Sequence, residues 1–411
     1  MSIDFEKQYA SKHYSYYPEG DFPPYLAYGF RPIFLLLAPY IIISILLWAL
    51  VFAGYISLPI ENLLNWHIYE MMFGVGSAMI VAFFLTALPE LFPGVVPIVG
   101  NRLKYLVILW ALGRISFWFM DYLTVYIAAI LNIALILYIV IIAAIPAFKD
   151  PNKKHVSLAY SMLSLLIVQI VYFLSEAKLI EVNSFKVLLL SLGLFIVLIL
   201  IALRRVSMES INELLEQEKI DETFLAKSFR YNLAIFSVLL YTFVEFFYPN
   251  NSILAYISFA CGASILGILN DFILKDHNIL LKPFVIYVMT AIVCTAVGYF
   301  FMGFNYLFEL DYLSHFRHIL TTGTFGIIFY LTMMIVSTIH TGRKLFTNIY
   351  LSTGIVLLLC ATFIRALIPF YEEYRMFAYI LSSILWAIPF IIYIKTFYPF
   401  LLAPRADGIK G

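Results

Sequence analysis

Charge is scarce in this chain. Of its 411 residues only 12% are Asp, Glu, Lys or Arg, against about a quarter in ordinary soluble domains. Hydrophobic residues make up 63%. No soluble core of this length hides so much apolar surface, so lipid must solvate most of it. The net charge of +1 excludes a general attraction to nucleic acid. Cysteine is almost absent: Cys261, Cys294 and Cys360 stand singly in apolar runs, and no CxxC occurs. That argues against a disulfide framework, a zinc ribbon or covalently attached c-type haem, and the three read as small core hydrophobes. A Walker loop, a nucleophile elbow and HExxH are missing too, so nothing supports an ATPase, a lipase-like hydrolase or a zinc protease. The first 30 residues lack an apolar h-region, which argues against a cleaved secretory signal. Their tyrosines and prolines suit a segment lying along the membrane interface.

What is present is a series of long apolar runs. A helix needs about 20 apolar residues to cross the hydrocarbon. By that measure the sequence predicts twelve spans, at about 33–53, 67–90, 103–120, 122–145, 156–175, 184–206, 229–248, 252–273, 283–304, 313–339, 346–368 and 376–400. Continuous apolar runs outweigh period-two alternation, which argues against a β-barrel. The expected fold is an all-α polytopic transmembrane bundle over 33–402. A cytoplasmic or interfacial segment, 1–32, precedes it and a tail, 403–411, follows; a cytoplasmic loop at 207–228 reads as a short separate helix. Basic residues gather in the connections after even-numbered spans, including Arg102, Lys149, Arg204, Arg205, Arg230 and Arg343. The opposite connections hold Lys178, Lys186, Arg365 and Arg375. The positive-inside rule then puts both termini in the cytoplasm.

Depth follows from that orientation. Span two, entered through "NWHIYEMMFG", places His67 and Glu70 at the outer level. Span ten, beginning "LSHFRHILTTGTFG", runs the same way and places His315, Arg317 and His318 there. His340 lies 22 residues beyond His318, about 33 Å at the helical rise, and belongs to the cytoplasmic side. Ionisable residues within a membrane are functional hypotheses by default. His67 and Glu70 are i, i+3 and share a face, which Gly74 and Ala78 continue. His315 and His318 repeat the spacing above Thr322 and Gly326. Small residues admit a neighbouring helix or a flat cofactor. Tyr69 reads as an interface ring. Arg114, Arg317, Arg365 and Glu245 add charge to the outer half. Imidazoles ligate transition metals or haem iron, and guanidinium groups hold carboxylates such as haem propionates. The plainer alternative is interfacial hydrogen bonding for each histidine and inter-helix ion pairs with Glu70 or Glu245 for the arginines. Transport of protons or ions would call for acids through the membrane depth. Here Glu90, Asp121, Asp271, Glu309 and Asp311 lie near span ends, and no repeat between the halves is evident.

The motifs "GFRPIFLL", "WHIYEMMFG…AFFLTALP", "WALGRIS", "HILTTGTFG" and "HTGRKL" resemble the NnrS family along essentially the whole chain. The resemblance implies a multi-pass protein of a prokaryotic cytoplasmic membrane that contains haem (b-type) and copper. It implies a role in handling nitric oxide or related reactive nitrogen species, with nitrosative-stress tolerance as the setting. His67, Glu70, His318, His340, Arg31, Arg114 and Arg365 match motif positions; His315 does not, and its candidacy rests on proximity. On this reading His67 and His318 are axial or copper ligands, and His315 and His340 are further metal-ligand candidates. Arg114, Arg317 and Arg365 hold propionates or otherwise bind the cofactor. Glu70 is the catalytic candidate, orienting an imidazole or donating a proton. Family members carry a second histidine where this chain has Tyr69, an Asn-Trp where it has Glu90 and Leu91, and histidines in spans five and nine. Fewer imidazoles mean fewer ligands, so a single haem or one metal fits as well as the full complement. Turnover by an oxidoreductase and simple binding both stay open. Expected partners are nitric oxide, membrane lipid and a redox protein or respiratory subunit. Two other classes remain: a metal-free anchor subunit of a respiratory assembly, and a small-solute or proton-coupled transporter.

Overall fold

A computed structural model describes residues 16–411, apart from positions 59, 93, 152, 154 and 275–276 and the side chain at 277. Most of the interfacial segment expected at 1–32 lies outside the described residues. The described residues form helices, with no strand among them. We number the principal helices α1 Phe30–Phe52, α2 Leu63–Leu91, α3 Gly100–Trp118, α4 Val125–Lys149, α5 Val156–Glu176 and α6 Ser184–Gln217. The second half comprises α7 Ser228–Phe247, α8 Ile253–Phe272, α9 Pro283–Leu307, α10 Leu313–Ile339, α11 Ile349–Phe370 and α12 Arg375–Leu402. Among the described residues, eleven helices are long and apolar enough to cross a membrane. The exception is α3, whose 19 residues include Arg102, Lys104 and Arg114. The protein is therefore a polytopic helical membrane protein.

Burial grades the helices from inner to outer. Most neighbours along the chain pack side by side, and α12 closes the series against α1. Innermost lie α2 and α10, each 89% buried over its apolar stretch, and α6 at 72%, followed by α9 at 61%, α5 at 50%, α12 at 44%, and α1, α4, α7, α8 and α11 at 39%. The inner helices are four apart in order, and an apolar surface on every side suits them to that position.

Both α2 and α10 contain one π-helical turn, at Glu70–Gly76 and Ile319–Phe325. Such a turn inserts a residue into the hydrogen-bond ladder and frees carbonyls. In α2 the Gly74 carbonyl accepts from Trp110 Nε1 of α3 at 3.1 Å. In α10 the Thr322 carbonyl accepts from Trp386 Nε1 of α12 at 2.9 Å. Gly326 makes room for that indole: a Cβ there would stand 2.5 Å from Trp386 Nε1. The halves thus share a device that their sequences do not reveal.

Two expectations are corrected. The helix foreseen within 207–228 is a continuation of α6 to Gln217, because Leu203, Val206, Ser210, Ile211 and Leu214 keep one buried face in helical register. Tyr69 is not an interface ring. It is fully buried, stacked on Phe117 at 4.0 Å and Tyr172 at 4.7 Å, with its hydroxyl accepting from Gln169 Nε2 at 3.0 Å.

At the end read as cytoplasmic, Arg31 of the "GFRPIF" motif is fully buried. It donates to the carbonyls of Leu401 at 3.1 Å, Ala403 at 2.7 Å and Gly411 at 2.9 Å. A guanidinium there satisfies carbonyls that the end of α12 leaves open. The Ala406 N–H donates to the Thr341 carbonyl at 3.0 Å. Gly342, at φ +73°, admits Asp407, whose Cγ would be 2.5 Å from a Cβ. Two motifs distant in sequence therefore dock the C-terminal tail.

Candidate cofactor site at the outer ends of α2 and α10

His67 sits in the first segment of α2, with its ring stacked on Trp48 of α1 at 4.1 Å and 6°. Its Nδ1 is buried and has no hydrogen-bond partner. His318 ends the first segment of α10, directly above the π-turn, and its Nδ1 is 2.7 Å from the Ser314 carbonyl. A carbonyl only accepts, so Nδ1 carries the proton and Nε2 carries the lone pair. His315 differs. Its Nδ1 lies 3.1 Å from Arg365 Nη1, and a guanidinium only donates. The Nδ1 lone pair is therefore engaged, and in the neutral ring Nε2 holds the hydrogen. In this arrangement His315 has no lone pair for a metal.

Arg365 lies 4.2 Å over the Tyr379 ring, and its charge bears on His67, His315 and His318 alike. Among the described residues no carboxylate forms an ion pair with it. The other outer arginines are paired. Arg114 Nη1 is 2.8 Å from Glu70 Oε1, with both side chains almost wholly buried. Arg114 also bonds to Asn132 and Tyr40 bonds to Glu70, while Trp118 Nε1 donates to the Tyr40 hydroxyl at 3.0 Å. Arg317 pairs with Glu245, which also accepts from Tyr306 at 2.9 Å. The inter-helix ion-pair alternative is thus what Arg114 and Arg317 adopt, and Arg365 does not.

Glu70 has its two oxygens engaged by Tyr40 and Arg114, and neither of these partners is an imidazole. The small face at Gly74 is filled by this same pair: a Cβ there would lie 2.4 Å from Glu70 Oε2 and 2.7 Å from Arg114 Nη1. His340 stands at the opposite end of α10, where its Nδ1 is 3.3 Å from Glu90 Oε1. The structure therefore brings together His67, His315, His318 and Arg365, and places Glu70, Arg114, Arg317 and His340 elsewhere. Sequence reasoning missed the aromatic walls, Trp48 and Tyr379. Their one signal is that each lies near the outer end of its span, at the depth of the histidines.

Fold and site together define a polytopic helical membrane protein in which the inner helices α2 and α10 present half-buried imidazoles, and α11 brings to the same end Arg365, which has no carboxylate partner among the described residues. The chain belongs to the NnrS family: the family model described as NnrS protein matches residues 24–405. No curated protein matches the chain.

Proposed function

We propose that this protein binds haem, with copper as a second metal, at the outer ends of α2 and α10, and that it handles nitric oxide or a related reactive nitrogen species in a prokaryotic cytoplasmic membrane. The observation that carries this reading is Arg365, an intramembrane guanidinium without a carboxylate partner among the described residues, beside two imidazoles that retain lone pairs. A charge in that position calls for an anionic group, and the lone pairs call for a metal. Haem offers both, and the residues present fit it. His67 Nδ1 and His318 Nε2 are the nitrogens available to iron or copper, Arg365 pairs with a propionate, and Trp48 and Tyr379 supply apolar walls. His315 acts through Arg365, holding the guanidinium in place. Bound haem would supply an iron that takes a diatomic ligand and exchanges electrons. Nitric oxide is small, neutral and soluble in lipid, so it reaches this depth without a channel, and a redox protein or respiratory subunit would supply the electrons.

The test is an absorption spectrum of detergent-purified protein, oxidised and then dithionite-reduced, with metal analysis on the same sample and nitric oxide added last. The expected result is a Soret band near one haem per chain that shifts on adding nitric oxide. A colourless, metal-free, well-folded protein would overturn the reading and favour an anchor or a transporter.

A further inference from the structure

The three inner helices also converge at their other ends. Glu90 closes α2, Glu209 lies in the extension of α6, and His340 follows α10 directly. One ligand atom from each falls within 4.8 Å of the others. They border a cavity of about 20 Å³ together with Thr86, Arg205 and Thr332, room for roughly one water or ion. We propose that Glu90, Glu209 and His340 form a site for one divalent first-row metal ion, separate from the outer site and independent of the haem reading.

The three side chains already face one another. Arg205 Nη2 holds Glu90 Oε2 at 2.9 Å, and Glu90 Oε1 faces His340 Nδ1 at 3.3 Å. Glu209 Oε1 faces the other ring nitrogen at 3.8 Å, and among the described residues it forms no ion pair with Lys or Arg. A cation seated between them would meet one ligand atom from each of the three helices.

The ligands are also held in place. The His340 ring stacks on Tyr28 at 5.9 Å and 17° and lies 6.1 Å from Phe30. The His340 carbonyl accepts from Arg405 Nη1 at 3.0 Å. Arg205 on Glu90 is the kind of outer-shell contact that orients a metal-binding carboxylate. One imidazole and two carboxylates suit Mn²⁺, Fe²⁺ or Zn²⁺; Cu(I) prefers sulfur and Ca²⁺ needs more oxygens. Binding requires the three ligand atoms to close in, since metal–ligand bonds are about 2.0–2.2 Å long.

The experiment uses full-length, chelator-treated protein in detergent, titrated with Mn²⁺ (electron paramagnetic resonance of the free ion) and with Zn²⁺ (calorimetry). The proposal expects one equivalent bound, with affinity weakened about 10-fold or more in Glu209→Gln and in His340→Gln. Glu213→Gln, one turn further along α6, should bind like the wild type. Metal should raise the unfolding temperature of the wild type but not of Glu209→Gln. If Glu209→Gln fails to fold, Glu90→Gln is read in its place. Failure of the wild type to bind either ion, or wild-type affinity in a folded Glu209→Gln protein, would overturn the proposal. Haem content measured in parallel keeps this outcome separate from that of the outer site.

Discussion

Removing one partner of the Glu70–Arg114 pair should be costly, and removing both much less so. The two charges meet at 2.8 Å between atoms, with side-chain exposures of 1% and 5%. Charge centres about 4 Å apart attract by about 4 kcal/mol at an effective dielectric constant near 20, and desolvation offsets part of that. Substituting one partner strands the other in an apolar interior, which costs about 3–5 kcal/mol. In Glu70→Gln the stranded group is Arg114, left with Asn132; in Arg114→Met it is Glu70, left with Tyr40. The double variant buries no lone charge, so the cycle should show a coupling of at least about 2 kcal/mol. The assay is reversible unfolding in mixed detergent micelles followed by tryptophan fluorescence, to which Trp110 and Trp118 report locally. Neither side chain touches the outer histidines, so the folded fraction of each variant should hold as much cofactor as the wild type. Single-variant losses below about 1 kcal/mol, additive energies, or cofactor loss in folded protein would refute this reasoning.

Other consequences are local. Gly74→Ala places a methyl where Glu70 and Arg114 stand, and crowding of this kind costs about 1–3 kcal/mol in the same unfolding assay. Arg31→Met leaves the Leu401 and Ala403 carbonyls at the end of α12 and the Gly411 carbonyl of the tail without their donor and should cost about 2 kcal/mol or more, with the tail exposed to carboxypeptidase. Asp407 tests the tail docking by pH. Burial alone would raise its carboxyl, but the hydrogen bonds and charge of Arg405 outweigh that and hold it below the ordinary value of 3.8. A depressed value means that its stabilisation is present above the unfolded-state range and is lost as pH falls through the folded-state one. Protection of residues 403–411 from hydrogen exchange, taken relative to the intrinsic rate at each pH, should therefore fall below about pH 4 in the wild type, and Asp407→Asn should remove that dependence.

The helices were legible because lipid dictates their length and leaves few alternatives. The blurred start of α3, foreseen at 103 and found at Gly100, follows from the polar Arg102 and Lys104 in its first turn. Depth was legible as well: a fixed rise per residue turns sequence distance into height, so His67, His315 and His318 were expected at one level. Partners were not legible. Nothing in the sequence distinguishes Arg114, which meets Glu70, from Arg365, which meets His315, since both depend on how helices rotate against one another. The π-turns produce part of that rotation, and they leave no residue signature beyond glycines that also occur elsewhere. Tyr69 was misplaced for the same reason. A tyrosine near a span end suits an interface, and only the packing of α3 and α5 against α2 shows that it lies inside. Glu90 looked like a span-end charge and Glu209 fell in the expected cytoplasmic loop, and only the convergence of α2, α6 and α10 makes them neighbours of His340.

The outer site is tested most directly by haem per folded chain in three single variants, His67→Ala, His318→Ala and His315→Ala, purified alike and read from the Soret band. The first two should lose most of the band, because each removes a nitrogen with a free lone pair. His315→Ala should keep it, because that ring's lone pair is already engaged by Arg365. Loss in His315→Ala with retention in His67→Ala or His318→Ala would contradict the site.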